Sequence, residues 1–168
     1  MNTEQQATQQ ARLDILAPQI AASLQPAGAW TSGPGQQNYY DVRAILTGPD
    51  GAELGLSLDY GRGTHLMRLT VRTEMNGLRS HMGGADHEVK SEITVSPDKD
   101  PAKIATDIER RLLPQYLEVM ARAQVNKARY DETLAGIHAT VAMIVARYQA
   151  HNARVADVRN GSYPGDTV

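Results

Sequence analysis

The chain has 168 residues, which is within the range of about 100–200 residues that is usual for one domain. It contains no cysteine, and this excludes disulfides, thiolate nucleophiles and thiolate metal sites. The first residues lack the positive and apolar regions of a signal peptide, and no stretch approaches the ~18 apolar residues of a membrane span. We therefore predict one domain, residues 1–168, and a cytoplasmic location.

Charge is distributed unevenly around a net value of −2. Residues 1–61 carry two basic and six acidic side chains, whereas residues 110–159 carry eight basic and four acidic ones. A basic C-terminal region keeps nucleic-acid binding open as a hypothesis. The pI of 6.2, however, is well below the value of about 9 that is typical of nucleic-acid-binding domains.

Residues 1–24 are predicted to contain an N-terminal helix, because Leu13, Leu16, Ile20 and Leu24 recur at helical spacing. Proline inside this pattern, Pro18, is expected to bend or break the helix. Residues 25–38 are rich in glycine and proline and are predicted to be a linker without regular hydrogen bonding. Its Trp30 is expected to pack on the core.

Residues 39–96 alternate between apolar and polar side chains, which predicts a four-stranded antiparallel meander with helices on one face. The strands are expected at residues 39–46, 53–59, 64–75 and 89–96. The sequence Gly48-Pro49-Asp50-Gly51 predicts a tight turn between the first two strands, with a positive φ at Gly51. The fold class is therefore predicted to be α+β.

Residues 100–158 are predicted to form a long helical region that begins with Asp100 as the cap and Pro101 in the first turn. Pro114 is expected to kink or restart the helix. From residue 115 onward the region is either one continuous helix or a helical hairpin that turns near residues 126–131. Residues 159–168 are expected to be a flexible tail.

A heptad seam runs along this region, with apolar residues at alternating spacings of three and four. Its positions are Tyr116, Met120, Ala123, Lys127, Tyr130, Leu134, Ile137, Val141, Ile144, Tyr148, His151, Val155 and Val158. One interpretation is that the seam packs on the protein's own sheet. The other is that it binds a second copy or a partner protein, because a small sheet cannot cover such a long helix. The second interpretation assigns the interface to Leu134, Ile137, Val141, Ile144 and Tyr148.

Arginines on the outer sheet face and on the long helix support the alternative of a nucleic-acid-binding accessory protein. The candidate side chains are Arg43, Arg68, Arg72, Arg122 and Arg129. Acidic residues beside them are expected to weaken the positive field.

Catalysis has little support in the sequence, because it contains neither a nucleophile elbow nor a phosphate-binding loop. His81, Asp86 and His87 in the loop 76–88 are metal-ligand types and define a third hypothesis, a metal-dependent hydrolase. Their spacing matches no metal motif, so we predict a solvated loop, no catalytic residue, no metal site and no cofactor.

The leading hypothesis is a non-enzymatic interaction or assembly module that is a homo-oligomer, with a dimer favoured, or that binds a partner protein. A compact chain without cysteine or a catalytic signature would suit an accessory protein of a phage or mobile element, for example an inhibitor that occupies a host protein's surface.

Overall fold

The computed structural model describes residues 3–24, 28–33, 36–38, 41–60, 66–84, 86 and 89–159. Three helices are present in this part of the chain: α1 (Thr3–Ser23), α2 (Pro101–Arg111) and α3 (Leu113–Arg159). The strands are β1 (Thr31–Ser32), β2 (Gln36–Asn38), β3 (Asp41–Thr47), β4 (Glu53–Tyr60), β5 (Met67–Glu74) and β6 (Glu92–Val95). The predicted α+β class is confirmed, with an N-terminal helix, an antiparallel meander and a long C-terminal helix.

The sheet has the strand order β1–β3–β4–β5–β6, and every neighbouring pair is antiparallel. Strand β2 also pairs with β3, farther along it than β1 does. Strands β3, β4, β5 and β6 correspond to the four strands that the alternating pattern predicts. The segment predicted as a linker differs, because β1 and β2 lie within it and bond to β3.

The core lies between one face of the sheet and the helices, and α1 packs against β3, β4 and α2. Buried side chains of the sheet recur at every second position, as expected for a half-buried strand. They are Val42, Ala44, Leu46, Leu54, Leu56, Leu58, Leu69, Val71, Ile93 and Val95. Because the chain has no phenylalanine, aliphatic side chains supply nearly all of this packing.

Local sequence signals explain several element boundaries. The side chain of Asp100 accepts a hydrogen bond from the Ala102 amide at 2.9 Å, which caps α2 as predicted. Pro114 follows the break at Leu112 and lies in the first turn of the new helix α3, so the helix restarts there. Pro18, by contrast, does not break α1, which continues through it to Ser23.

The first turns of α3 are attached to the end of the sheet. The Tyr116 hydroxyl accepts a hydrogen bond from the Glu53 amide at 2.9 Å and donates one to the Glu74 carbonyl at 2.8 Å. These two residues face each other across β4 and β5. One phenol therefore satisfies a backbone donor and a backbone acceptor of adjacent strands.

The chain divides into two units, Met1–Val125 and Asn126–Val168. The first contains the sheet, α1, α2 and the first turns of α3, and the second contains the remainder of α3. The expected tail, residues 159–168, lies outside the described residues except for Arg159. Among the helices that the structure describes, none has the length and apolar character needed to cross a membrane.

Candidate assembly surface

The predicted seam on α3 has two parts that differ in burial. Tyr116, Met120 and Ala123 are at most 4% exposed and belong to the core of the first unit. From residue 124 to residue 155 every side chain is exposed. The interpretation that the seam packs on the protein's own sheet therefore holds for its first turns, whereas its positions from Lys127 to Val155 are exposed.

The five predicted interface residues all lie on the exposed part. Their exposed fractions are 36% for Leu134, 53% for Ile137, 51% for Val141, 59% for Ile144 and 65% for Tyr148. Large apolar side chains that recur at heptad spacing and stay in water are unusual for a stable helix. They form one continuous row within the exposed part of the seam.

The seam runs through an uncharged segment, residues 133–146, that contains no Asp, Glu, Lys or Arg. Beside the seam, Met143 is 63% and Val145 is 47% exposed. The helix is thus apolar on more than one face, a composition that is typical of buried helices. At a rise of about 1.5 Å per residue, the segment spans roughly 21 Å, well short of the ~30 Å hydrocarbon core of a bilayer.

Both threonines of the uncharged segment are already hydrogen-bonded within the helix. Thr133 donates to the carbonyl of Arg129, and Thr140 donates to the carbonyl of Gly136, each at 2.9 Å. Burial of these hydroxyl groups at an interface would not break the hydrogen bonds that they donate to the helix backbone, because the acceptor carbonyls belong to the same helix. His138 is the remaining polar side chain of the segment.

Charged residues border the uncharged segment on both sides. Asp131 and Glu132 precede it, and Arg147 follows it. Lys127, a polar position of the seam, forms an ion pair with Asp131 at 2.5 Å, one helical turn away. The acidic border and the basic border therefore lie at opposite ends of the apolar surface.

The predicted nucleic-acid residues are largely neutralised by nearby carboxylates. Arg72 binds Glu92 at 2.8 Å, and Arg43 lies 3.6 Å from Glu74. Register places Arg68 opposite Asp59. Arg129 is exposed and belongs to the second unit.

Asp86, a residue of the metal hypothesis, is engaged in a structural ion pair. It is 7% exposed, and its carboxylate binds Arg122 at 2.5 Å and the Gly83 amide at 3.0 Å. The hydrogen bond that Arg122 donates to Asp86, followed by the one that it donates to Glu118, holds the pKa of Arg122 above its ordinary value. His87 lies outside the described residues, and no group of three potential ligands could hold a metal ion within the described ones.

A cleft of about 680 Å³ opens beside the ends of β5 and β6. Its charged lining residues have both signs and are Arg43, Arg72, Glu74, Arg79, Asp86, Lys90 and Glu92. The ion pairs described above join most of these side chains to one another or to Arg122. The cleft is accordingly a polar surface whose charges are mostly paired.

Comparison with models of protein families, with curated proteins and with solved structures finds no match to this chain.

Proposed function

We propose that this protein is a non-enzymatic assembly module that binds a second copy of itself through the seam of α3. The observation that carries the proposal is the exposure of a complete heptad row, with Leu134, Ile137, Val141, Ile144 and Tyr148 all at least 36% exposed in the single chain. Burying such side chains removes apolar surface from water and favours association by about 25 cal/mol per Å².

The composition of the uncharged segment supports helix packing as the mode of assembly. Apolar residues at heptad spacing allow two helices to interlock along one row of side chains. The internally bonded threonines remove a desolvation cost that would otherwise oppose burial. A second copy provides the complementary surface without any further protein.

Absolute mass from light scattering during size exclusion, at two salt concentrations, tests the proposal. We expect a dimer or larger multiple of the 18.3 kDa chain, and we expect it to be insensitive to salt because the contact is apolar. The double variant Ile137→Asp, Ile144→Asp should be a monomer with an intact sheet.

Ile15→Asp is the matched control, since Ile15 is a 65% exposed isoleucine on α1 and is not part of the seam. This variant should keep the wild-type mass. A monomeric wild type, or a double variant that keeps the wild-type mass, would overturn the proposal.

Nucleic-acid binding remains a prediction. The ion pairs of Arg43, Arg72 and Arg122 offset positive charge that would otherwise attract phosphate groups. A cytoplasmic location and a role as a phage or mobile-element inhibitor likewise remain hypotheses.

A further inference from the structure

The turn that follows β5 contains an asparagine directly before a glycine, Asn76-Gly77. The Leu78 amide donates a hydrogen bond to the Met75 carbonyl at 2.8 Å, so the four residues form a β-turn. Gly77 is the third residue of this turn and has a φ of 68°, which glycine adopts without strain. Asn76 and Gly77 are both exposed, so water and base reach the side chain and the backbone amide that follows it.

Asparagine is thermolabile because its side-chain carbonyl can be attacked by the backbone nitrogen of the next residue. In this turn the Gly77 nitrogen gives its proton to hydroxide and forms a bond to Asn76 Cγ. The bond from Cγ to Nδ2 breaks, and Nδ2 takes a proton from water and leaves as ammonia. One water molecule then opens the cyclic imide to aspartate or to isoaspartate. The net reaction converts an amide and water into a carboxylic acid and ammonia.

The structure leaves the Gly77 nitrogen available for this reaction. Its N–H group makes no hydrogen bond to the residues that the structure describes. Apart from its chain neighbours, no atom lies within 4 Å of the point where a Cβ of Gly77 would stand. Asn126 is a contrasting case, because the next residue, Lys127, lies within α3 and its N–H group is used by the helical hydrogen-bond pattern.

We infer that Asn76 deamidates spontaneously in the folded protein and that the new carboxylate weakens the end of the sheet to which α3 is attached. Asn76 Nδ2 donates a hydrogen bond to Glu53 Oε2, and since this bond is exposed, the side chain can leave it by rotamer exchange. Glu53 lies opposite Glu74 in the pairing of β4 with β5. Deamidation replaces the amide donor with a third carboxylate, and like charges held close together repel. The repulsion acts where Tyr116 bonds the backbone of both glutamates.

Peptide mapping of the wild-type protein tests the modification. The folded protein is incubated at mildly alkaline pH, and samples are digested with trypsin, which releases residues 73–79 with Asn76 and residues 160–168 with Asn160. Asn160 precedes Gly161 in the chain's other Asn-Gly pair, which lies outside the described residues and serves as the reference. We expect the peptide of residues 73–79 to exchange NH₂ for OH and to separate into aspartate and isoaspartate forms. Retention of the Asn76 amide after Asn160 has been converted, or conversion of neither asparagine, would overturn the inference.

Two variants test the effect of the new charge on the fold. Asn76→Asp supplies the carboxylate from the start, whereas Asn76→Gln keeps an amide donor and reacts much more slowly because its side chain must close a larger ring. We expect a lower denaturation midpoint for Asn76→Asp than for Asn76→Gln, measured by Trp30 fluorescence. The difference should shrink at high salt, because ions screen repulsion between exposed carboxylates. Equal midpoints for the two variants at low salt would contradict the inferred repulsion and overturn the inference.

Discussion

The two units of this protein use one sequence pattern in different ways. In the first, Met1–Val125, the heptad positions Tyr116, Met120 and Ala123 are buried against the sheet and its helices. In the second, the same spacing leaves residues such as Ile137 and Ile144 more than half exposed. The comparison shows that periodicity identifies an apolar face but not the surface that covers it.

Truncation of a core residue in the first unit should give the largest change in the free energy of unfolding. Leu56 is 0% exposed on the central strand β4, so Leu56→Ala removes packed atoms and leaves a cavity. We expect the free energy of unfolding to fall by about 2–5 kcal/mol. The fluorescence of Trp30, the only tryptophan and 6% exposed, reports this transition during denaturation.

Ile144→Ala is the matched truncation in the second unit. Because Ile144 is 59% exposed, we expect the same Trp30 transition to change by no more than ~0.5 kcal/mol at a protein concentration where the chains are dissociated. A large loss from Ile144→Ala in dissociated chains, or a small one from Leu56→Ala, would contradict the distinction between the two units.

Glycine replacement tests the same comparison with a smaller expected effect. A Cβ at Gly48 would lie 2.6 Å from the ring of Trp30, so Gly48→Ala overpacks the core and should destabilise the first unit by about 1–3 kcal/mol. A Cβ at Gly136 would meet nothing within 4 Å, and Gly136→Ala should therefore raise the helix stability by about 1 kcal/mol. Chemical denaturation followed by Trp30 fluorescence measures the effect of Gly48→Ala. Thermal unfolding followed by circular dichroism measures the effect of Gly136→Ala. If both substitutions changed stability by the same amount and in the same direction, this expectation would be wrong.

The smallest expected effect concerns pH and the first unit alone. Lys99 binds Asp107 at 2.5 Å, and this hydrogen bond lowers the pKa of the Asp107 carboxyl below its ordinary value. The stabilisation is therefore present above the unfolded pKa of about 3.9 and is lost as pH falls through the lower folded value. Denaturation at a series of acidic pH values should show a smaller acid-induced loss for Asp107→Asn. An unchanged pH profile would refute the role of this pair.

Much of the fold can be predicted from the sequence because its signals are local. The turn at Gly48–Gly51 depends on residues that tolerate positive φ, and Asp50 and Gly51 have φ values of 54° and 76°. Strands β1 and β2 were missed because they are held by hydrogen bonds to β3 and have no periodic pattern of their own. Pro18 was expected to bend or break α1, and the break does not occur, since buried Leu16, Ala17 and Ile20 fix the helix on both sides of the proline.

The candidate site could be predicted in part. Heptad spacing identifies Leu134 to Tyr148 as a seam, but spacing alone does not tell where the core of the first unit ends. That limit depends on which turns of α3 the sheet and helices reach. The pairing of Asp86 with Arg122 is also invisible in the sequence, because the two residues meet only when the loop and α3 come together.

The attachment of α3 to the sheet has an upper pH limit. Burial raises the pKa of the Tyr116 phenol above its ordinary value of about 10, and the nearby carboxylates of Glu53 and Glu74 add to the effect. The neutral phenol stabilises the fold fully below the unfolded pKa, and this contribution is lost as pH rises through the higher folded value. A phenolate cannot donate to the Glu74 carbonyl, so strong alkali removes the hydrogen bond that holds the first turns of α3 to β5.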